Sequence, residues 1–331
     1  MMPVDAALAV TYRCNARCAM CGIWKSEPGP ELPPDVFRRL PSSLRDVNLT
    51  GGEPFLRRDL PAVHEAVRSA CPSSRTVIST NGLLTDRIAE SVQQMARAEP
   101  GLGVAVSIDG PAPVHDRIRG IPGAYDKAMR SVKSLQDAGF ANLRLAFTAT
   151  RSNAQHLWEV YSLAQSMGVQ FTCAIEHASE HYFQSPEAAA PVPLDALRGP
   201  LERVMESELR SLSPKRWARA YFLLGMWHYA RGRGRLHPCR AGRDFFFMDP
   251  AGDVYTCNAA PFRMGNLAET DFDALWHSPE ADAARKRVIA CQQPCWMVCT
   301  ARTAIRRAWP QVLAWALWRR LTGVTLPECQ P

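Results

Sequence analysis

The chain has 331 residues, of which 47% are hydrophobic, 21% charged and 8% aromatic, and its net charge is +7. Such a length buries a large core, and the composition excludes a disordered, collagenous or coiled-coil protein. The last 31 residues carry five Arg and one Glu, +4 of the total, so the charge is not the distributed footprint of a nucleic-acid binder, and no nucleic-acid partner is expected.

Residues 1–12 lack the basic start of a secretory signal. No apolar run reaches the roughly 18 residues of a membrane span. A cytoplasmic protein is expected, in which eleven Cys point to metal binding or catalysis rather than disulfides.

In chain order, strands are predicted at 6–12, 44–49, 75–80, 103–108, 142–149 and 169–175. Helical patterns lie between them near 34–40, 58–70, 84–97, 123–138 and 154–167, the last with Asn153 as N-cap. Alternation of apolar strands with helices predicts a parallel sheet, open or closing into most of a (β/α) barrel. In either case the chemistry gathers at the carboxyl ends of the strands. Cys14, Gly51, Asn81, Asp109, Glu176 and His177 all follow predicted strands. A Pro- and Ala-rich passage at 185–200 reads as a linker into helices near 194–212 and 214–231. Beyond it, 245–257 reads as a hairpin around the turn residues at 249–253, followed by a helix near 271–289.

Cys14, Cys18 and Cys21 form C-x3-C-x2-C directly after the first strand. Three thiolates hold three corners of an iron–sulfur cubane and leave one iron open for chemistry. Gly51-Gly52-Glu53-Pro54 follows the second strand. Its glycines allow close backbone approach, and Glu53 offers a carboxylate to a ligand amino group.

With this pair of motifs the sequence resembles the radical SAM superfamily over about residues 5–176. The resemblance implies an α/β fold, a partial (β/α)6 TIM-like barrel. It implies a 4Fe-4S cluster on Cys14, Cys18 and Cys21 that binds S-adenosylmethionine (SAM), with Ile23 and Trp24 near the adenine. Glu53, with the backbone of Gly51 and Gly52, is then expected at the amino group. Ser79, Asn81, Ser107 and Asp109 fall where ribose and carboxylate contacts occur. The stretch 107–128 resembles the subgroup with auxiliary clusters, in which Arg119 reaches the SAM carboxylate; an ion pair of Asp116 with Arg119 is the alternative.

Cys239, Cys257, Cys291, Cys295 and Cys299 fall within 61 residues. On a helix the last three, at i, i+4 and i+8, share one face. The region resembles the auxiliary-cluster domain called SPASM, or its short form, twitch. The opening C-x12-G-x4-C matches, but C-x3-C-x3-C replaces the second half of the full pattern, with only Cys329 beyond. At least one auxiliary iron–sulfur cluster is expected, one four-Cys cluster on Cys239, Cys257 and two of the last three, while Cys71 and Cys173 read as core. The resulting division is a barrel at 1–184, a helical linker region at 185–235, an auxiliary-cluster domain at 236–300 and a basic, aromatic helix at 301–331.

By resemblance, the enzyme cleaves SAM reductively to a 5′-deoxyadenosyl radical that abstracts hydrogen from an unactivated C–H bond. An auxiliary cluster serves electron transfer, and an external flavodoxin- or ferredoxin-type reductant supplies electrons. Glu176 and His177 are the acid/base candidates. Because Cys14 lies so near the start, a leader-binding module is not expected in cis, and a small-molecule, sugar or lipid-linked substrate is favoured. The alternatives are a maturase of a peptide or protein, and a two-cluster electron-transfer protein. In the tail, Pro310 suits a helix start and Gly323 its end, and Arg302, Arg306, Arg307, Arg319 and Arg320 bracket Val312, Leu313, Trp315, Leu317 and Trp318. Peripheral contact with an anionic membrane competes here with a helix docked on the barrel.

Overall fold

The computed structural model describes residues 1–25, 27–185 and 191–326. Six parallel strands follow one another in sheet order as in sequence: β1 (Asp5–Thr11), β2 (Asp46–Gly51), β3 (Arg75–Thr80), β4 (Gly103–Ser107), β5 (Leu143–Ala149) and β6 (Gln170–Ile175). The helices α1 (Leu60–Ala70), α2 (Thr85–Ala98), α3 (Ala112–Arg119), α4 (Ala124–Asp137) and α5 (Leu157–Ser166) lie in the crossovers. The result is an open, partial barrel, as the alternation predicts.

Strand alternation explains the two faces. Leu143, Leu145, Phe147, Phe171, Cys173 and Ile175 are buried in the shared core, whereas Arg144, Ala146, Thr148, Gln170, Thr172 and Ala174 on the opposite, inner face are only half-buried. Polar and small side chains thus line the interior, where a substrate needs room.

Three local readings differ. Residues 34–39 form a short 3-10 helix instead of an α-helix, and it stops at Leu40, which the following Pro41 holds extended. Asn153 does not cap α5: its side chain accepts from Thr150 N at 2.7 Å and donates to the carbonyls of Asp109 and Thr148, each at 3.0 Å. It ties the ends of β4 and β5 together instead. The helix α3 covers a stretch to which the sequence reading assigned no element.

Beyond β6, α6 (Leu194–Arg210) and α7 (Pro214–Ala230) pack on each other and lead to β7 (Phe245–Met248), β8 (Asp253–Tyr255) and β9 (Arg263–Asn266). The hairpin at β7–β8 is antiparallel as predicted. What the sequence did not indicate is that β7 pairs in parallel with β1, from Asp5↔Phe245 to Leu8↔Met248, so the second half of the chain continues the barrel sheet. Phe245, Phe246 and Phe247 are fully buried, as a strand covered on both faces requires. The predicted 271–289 helix is two, α8 (Phe272–Trp276) and α9 (Pro279–Ile289); Ser278 caps the second, its hydroxyl accepting from Ala281 N at 3.0 Å, with Pro279 in the first turn.

The tail forms α10 (Val298–Arg307) and α11 (Trp309–Thr322), with Pro310 in the first turn of α11 and Gly323 just past its end. Arg302 pairs with Asp5 (2.5 Å), Arg306 with Asp46 (2.7 Å) and Arg307 with Asp244 (2.5 Å). Three of the five tail arginines are therefore committed to carboxylates at the amino-terminal ends of β1, β2 and β7. Arg320 donates to the carbonyls of Leu209 and Ser211, and Val312 and Ala316 are buried. The tail docks on the body of the protein, α10 against β1 and β7 and α11 against α6 and α7, leaving Leu317, Trp318 and Leu321 exposed. Among the described residues, no helix is long and apolar enough to cross a membrane.

Candidate active site and iron–sulfur centres

The Cys14–Cys21 loop leaves the carboxyl end of β1 and is pinned by its backbone to three elements. Arg17 N donates to Arg119 O and Ala19 N to Ile118 O, both at 2.9 Å, and Gly22 N donates to Phe183 O at 2.8 Å. From β2, Gly52 N reaches Thr11 O and Glu53 N reaches Arg13 O, both at 2.8 Å. A Cβ on Gly51 would collide with the Thr11 carbonyl, and one on Gly52 with that of Arg13. The glycines of the motif therefore bring its turn hard against the thiol loop.

Burial pushes the Cys14 thiol up to about 12 and the Cys21 thiol up to about 11, and the neighbouring thiols push both the same way. The three side chains are thus close enough to feel one another's charge. Metal ligation takes thiolates, so a cluster forming here releases protons.

Glu53 is fully buried. Its carboxylate accepts from Thr80 Oγ1 (2.8 Å), Phe55 N (3.2 Å) and Asn81 N (2.7 Å), and burial pushes it up to about 7 despite these bonds. Its visible work is to lock the end of β2 to the end of β3. Asn81 donates to Asn15 Oδ1 at 2.7 Å and reaches Cys14 Sγ at 4.0 Å. Ser79 Oγ donates to Asn48 Oδ1 at 3.1 Å on the inner face, and Ser107 ends β4 half-buried. Asp109, also fully buried, binds Arg119 at 2.6 Å and accepts from Thr148 N at 3.1 Å. It therefore braces the wall between β4 and β5. Arg119 pairs with Asp109, and Asp116 instead accepts from Gly123 N and Tyr125 N at the start of α4. The free edge of Arg119 reaches Cys18 Sγ at 3.6 Å. Trp24, beside Cys21, donates to Cys18 O at 3.2 Å and is partly exposed.

At the end of β6 the two acid/base candidates part company. His177 Nδ1 donates to Ile175 O (2.7 Å), and its Nε2 accepts from Trp296 N (3.1 Å). Both ring nitrogens are used, and burial lowers the imidazole to about 4. His177 thus pins the end of β6 to the auxiliary loop, with both ring nitrogens engaged. The Glu176 carboxyl, half-buried and raised by burial, makes no hydrogen bond or ion pair among the described residues.

The second set of thiols belongs to the other end of the chain. Cys239, Cys257, Cys291 and Cys295 line one cavity with Arg235, Ala260, Phe262 and Val288. Cys299 is not part of that lining. It is half-buried, within reach of the charges of Asp5 and Arg302. The shared helical face expected for Cys291, Cys295 and Cys299 does not form: Pro294 interrupts the segment, and α10 begins only at Val298. Among the described residues no three Cys, His, Asp or Glu side chains are drawn together tightly enough for a single ion; four thiols instead ring a void. Cys329 lies outside the described residues. Cys71 and Cys173 are buried in the hydrophobic core.

Three elements escaped the sequence reading. Trp296 anchors the auxiliary loop by laying its indole on Gly225 of α7 and donating to Phe222 O at 2.8 Å. His181–Phe183 form a strap between the two thiol sets: Phe183 O receives Gly22 N, and His181 Nε2 donates to Cys257 O at 2.9 Å. Arg235 lies over Cys291 and Cys295; its place in an Arg-Gly-Arg-Gly-Arg run four residues before Cys239 was the signal available.

The radical SAM superfamily model matches residues 8–164, and the SPASM iron–sulfur cluster-binding domain matches 239–300. The mycofactocin maturase MftC of Mycobacterium tuberculosis is 30% identical over 295 residues, covering 83% of this chain and 70% of that protein. The chain belongs to the radical SAM superfamily. Two other relatives are the AdoMet-dependent heme synthase of Methanosarcina barkeri (26% identical over 303 residues, 83% and 82% covered) and the antilisterial bacteriocin subtilosin biosynthesis protein AlbA of Bacillus subtilis (26% over 291 residues, 84% and 60%). The solved structure of anSMEcpe with bound AdoMet superposes with a TM-score of 0.64 at 15% identity, covering 96% of each chain, which shows the common fold. This radical SAM enzyme uses a 4Fe-4S cluster, SAM and auxiliary iron–sulfur chemistry. The donor sets fit: three thiols beside the glycine turn, and four around one cavity.

Proposed function

We propose that this enzyme is a maturase that modifies a peptide or protein substrate. The observation that carries the reading is the likeness to MftC and AlbA, named as a maturase and a bacteriocin biosynthesis protein, together with two thiol sets in the loops around one continuous sheet. These relatives favour a peptide over the small-molecule, sugar or lipid-linked substrate that the sequence suggested. The heme synthase favours a tetrapyrrole as the second reading.

Bound to this chain, the cluster and SAM supply the one-electron chemistry that takes hydrogen from an unactivated C–H bond. Cys14, Cys18 and Cys21 would hold the cluster. Gly51 and Gly52 hold their turn against the thiol loop, where its backbone would approach SAM, and Glu53 holds that turn against β3. Arg119 and Asp109 brace the far side of the thiol loop. Cys239, Cys257, Cys291 and Cys295 would hold one auxiliary cluster, leaving Cys299 in the packing. Glu176, without a side-chain partner among the described residues and raised by burial, would exchange a proton with substrate at the end of β6. An external flavodoxin- or ferredoxin-type carrier would deliver the electron.

The reconstituted enzyme, kept anaerobic, should cleave SAM to 5′-deoxyadenosine and take up deuterium from a deuterium-labelled peptide substrate. Deuterium arriving from a labelled tetrapyrrole and never from peptide would overturn the peptide reading. Unchanged SAM cleavage in a Cys14→Ala, Cys18→Ala, Cys21→Ala triple variant would overturn the cluster assignment.

A further inference from the structure

We infer that Arg235 sets the reduction potential of the auxiliary iron–sulfur centre by placing an unneutralised charge on two of its cysteines. The inference rests on the four-thiol reading above. After α7 the chain turns through Gly232, whose φ of +65° suits glycine, and Arg235 crosses to the 291–295 segment. Its Nε and Nη2 each lie 3.3 Å from Cys295 Sγ, and Nη2 lies 3.7 Å from Cys291 Sγ. Two carbonyls fix the guanidinium there, Gln293 O at 2.7 Å and Cys291 O at 3.4 Å.

The first thiol set offers an internal comparison. Arg119 reaches Cys18 Sγ at 3.6 Å, but Asp109 sits 2.6 Å from the same guanidinium. That pair is neutral as a unit. Among the described residues Arg235 has no carboxylate at ion-pair distance, so its full charge stays beside sulfur. Reduction adds one negative charge to a cluster, and donors to its sulfurs stabilise the reduced state more than the oxidised one. The apolar lining of Ala260, Phe262, Val288 and Met297 keeps the local dielectric low, which strengthens the effect. The two arginines thus bias an electron toward the auxiliary centre.

The test is an EPR-monitored potentiometric titration of the reconstituted enzyme against Arg235→Lys, Arg235→Gln and Arg235→Met. With Gln or Met the auxiliary centre's reduced-to-oxidised ratio at fixed potential should fall about tenfold, equivalent to about 59 mV for one electron. Arg235→Lys, keeping charge without the fork, should fall between, and the centre on Cys14, Cys18 and Cys21 should not move. An unchanged auxiliary midpoint in the Met and Gln variants at full iron content overturns the inference. So does loss of the auxiliary iron in all three variants, which makes Arg235 a scaffold residue. A Cys239→Ala, Cys257→Ala protein with wild-type iron and spectra would instead overturn the four-thiol reading itself.

Discussion

His181 Nε2 lies 2.9 Å from the carbonyl of Cys257, so a residue that follows the last barrel strand holds the backbone of an auxiliary cysteine. Two residues on, Phe183 O receives the backbone of Gly22, next to Cys21. The strap is therefore a short mechanical link between the two thiol sets. Tyr182 adds to it through its hydroxyl, 2.9 Å from Thr50 Oγ1.

A Cβ at Gly22 would run into the carbonyl of Gln184, which is backbone and cannot swing away. Gly22→Ala should therefore push the strap off the thiol loop, at a cost of about 1–3 kcal/mol by analogy with overpacked cores. Thermal unfolding reads the stability loss, and iron analysis should show occupancy falling at both centres. A variant with wild-type melting temperature and full iron would mean that the strap does not couple them.

The cysteine partition gives a second expectation. Two cubanes require about eight irons, so the wild-type chain should bind about eight. Cys295→Ala should leave about four. Cys299→Ala should leave about eight, because Cys299 lies outside the auxiliary cavity. Equal iron loss in both variants would show that the ligand set is wrong.

Much of this was legible in the sequence, for physical reasons. The six strands announce themselves as short β-rich runs set at regular intervals between helical patterns, and Cys14, Cys18 and Cys21 are close in sequence, so spacing alone gathers them. Cys291 and Cys295 illustrate the limit. The i, i+4 spacing suits a helix, but Pro294 sits between them, and weighing that breaker would have removed the helical face. The pairing of β7 with β1 was not legible at all: it joins residues about 240 apart through tertiary packing, and no local propensity encodes it. Likewise Arg119 sits three residues from Asp116 but chooses Asp109, because the start of α4 claims Asp116 for its own backbone donors.

A third expectation concerns pH. Burial, and next the nearby Arg119 charge, hold the His115 imidazole down to about 4, against 6.5 for a free side chain. Between these values the unfolded chain binds the proton and the folded one does not. Stability from this group is therefore fully present above about 6.5 and is lost as pH falls toward 4, at about 1.4 kcal/mol per pH unit. His115→Asn keeps an acceptor for Asp109 N, which His115 Nδ1 receives at 3.0 Å, and should be less acid-sensitive by about 2 kcal/mol between pH 6.5 and 5. Glu53, shifted the other way, contributes to both proteins and cancels in the difference. Denaturant titrations at the two pH values measure it, and parallel pH profiles would contradict a buried neutral His115.

The last expectation concerns the floor of the barrel. Asp5 is fully buried, with Arg302 donating to its two oxygens at 2.5 and 2.7 Å. Burial raises the Asp5 carboxyl even with Arg302 beside it. Removing the guanidinium leaves a buried carboxylate without compensation, a change that typically costs about 3–5 kcal/mol. Arg302→Met should lose that much. Asp5→Asn combined with Arg302→Met should recover most of it, since the uncompensated charge is then gone. Arg319→Ala, at a half-buried position whose hydrogen bonds run to nearby backbone and whose guanidinium lies over the Trp318 ring, should change stability by about 1 kcal/mol or less. If the tail arginines instead served an anionic membrane, Arg302 and Arg319 would matter alike to liposome binding and neither to unfolding. Equal stability effects of Arg302→Met and Arg319→Ala would therefore refute the docked role assigned to Arg302.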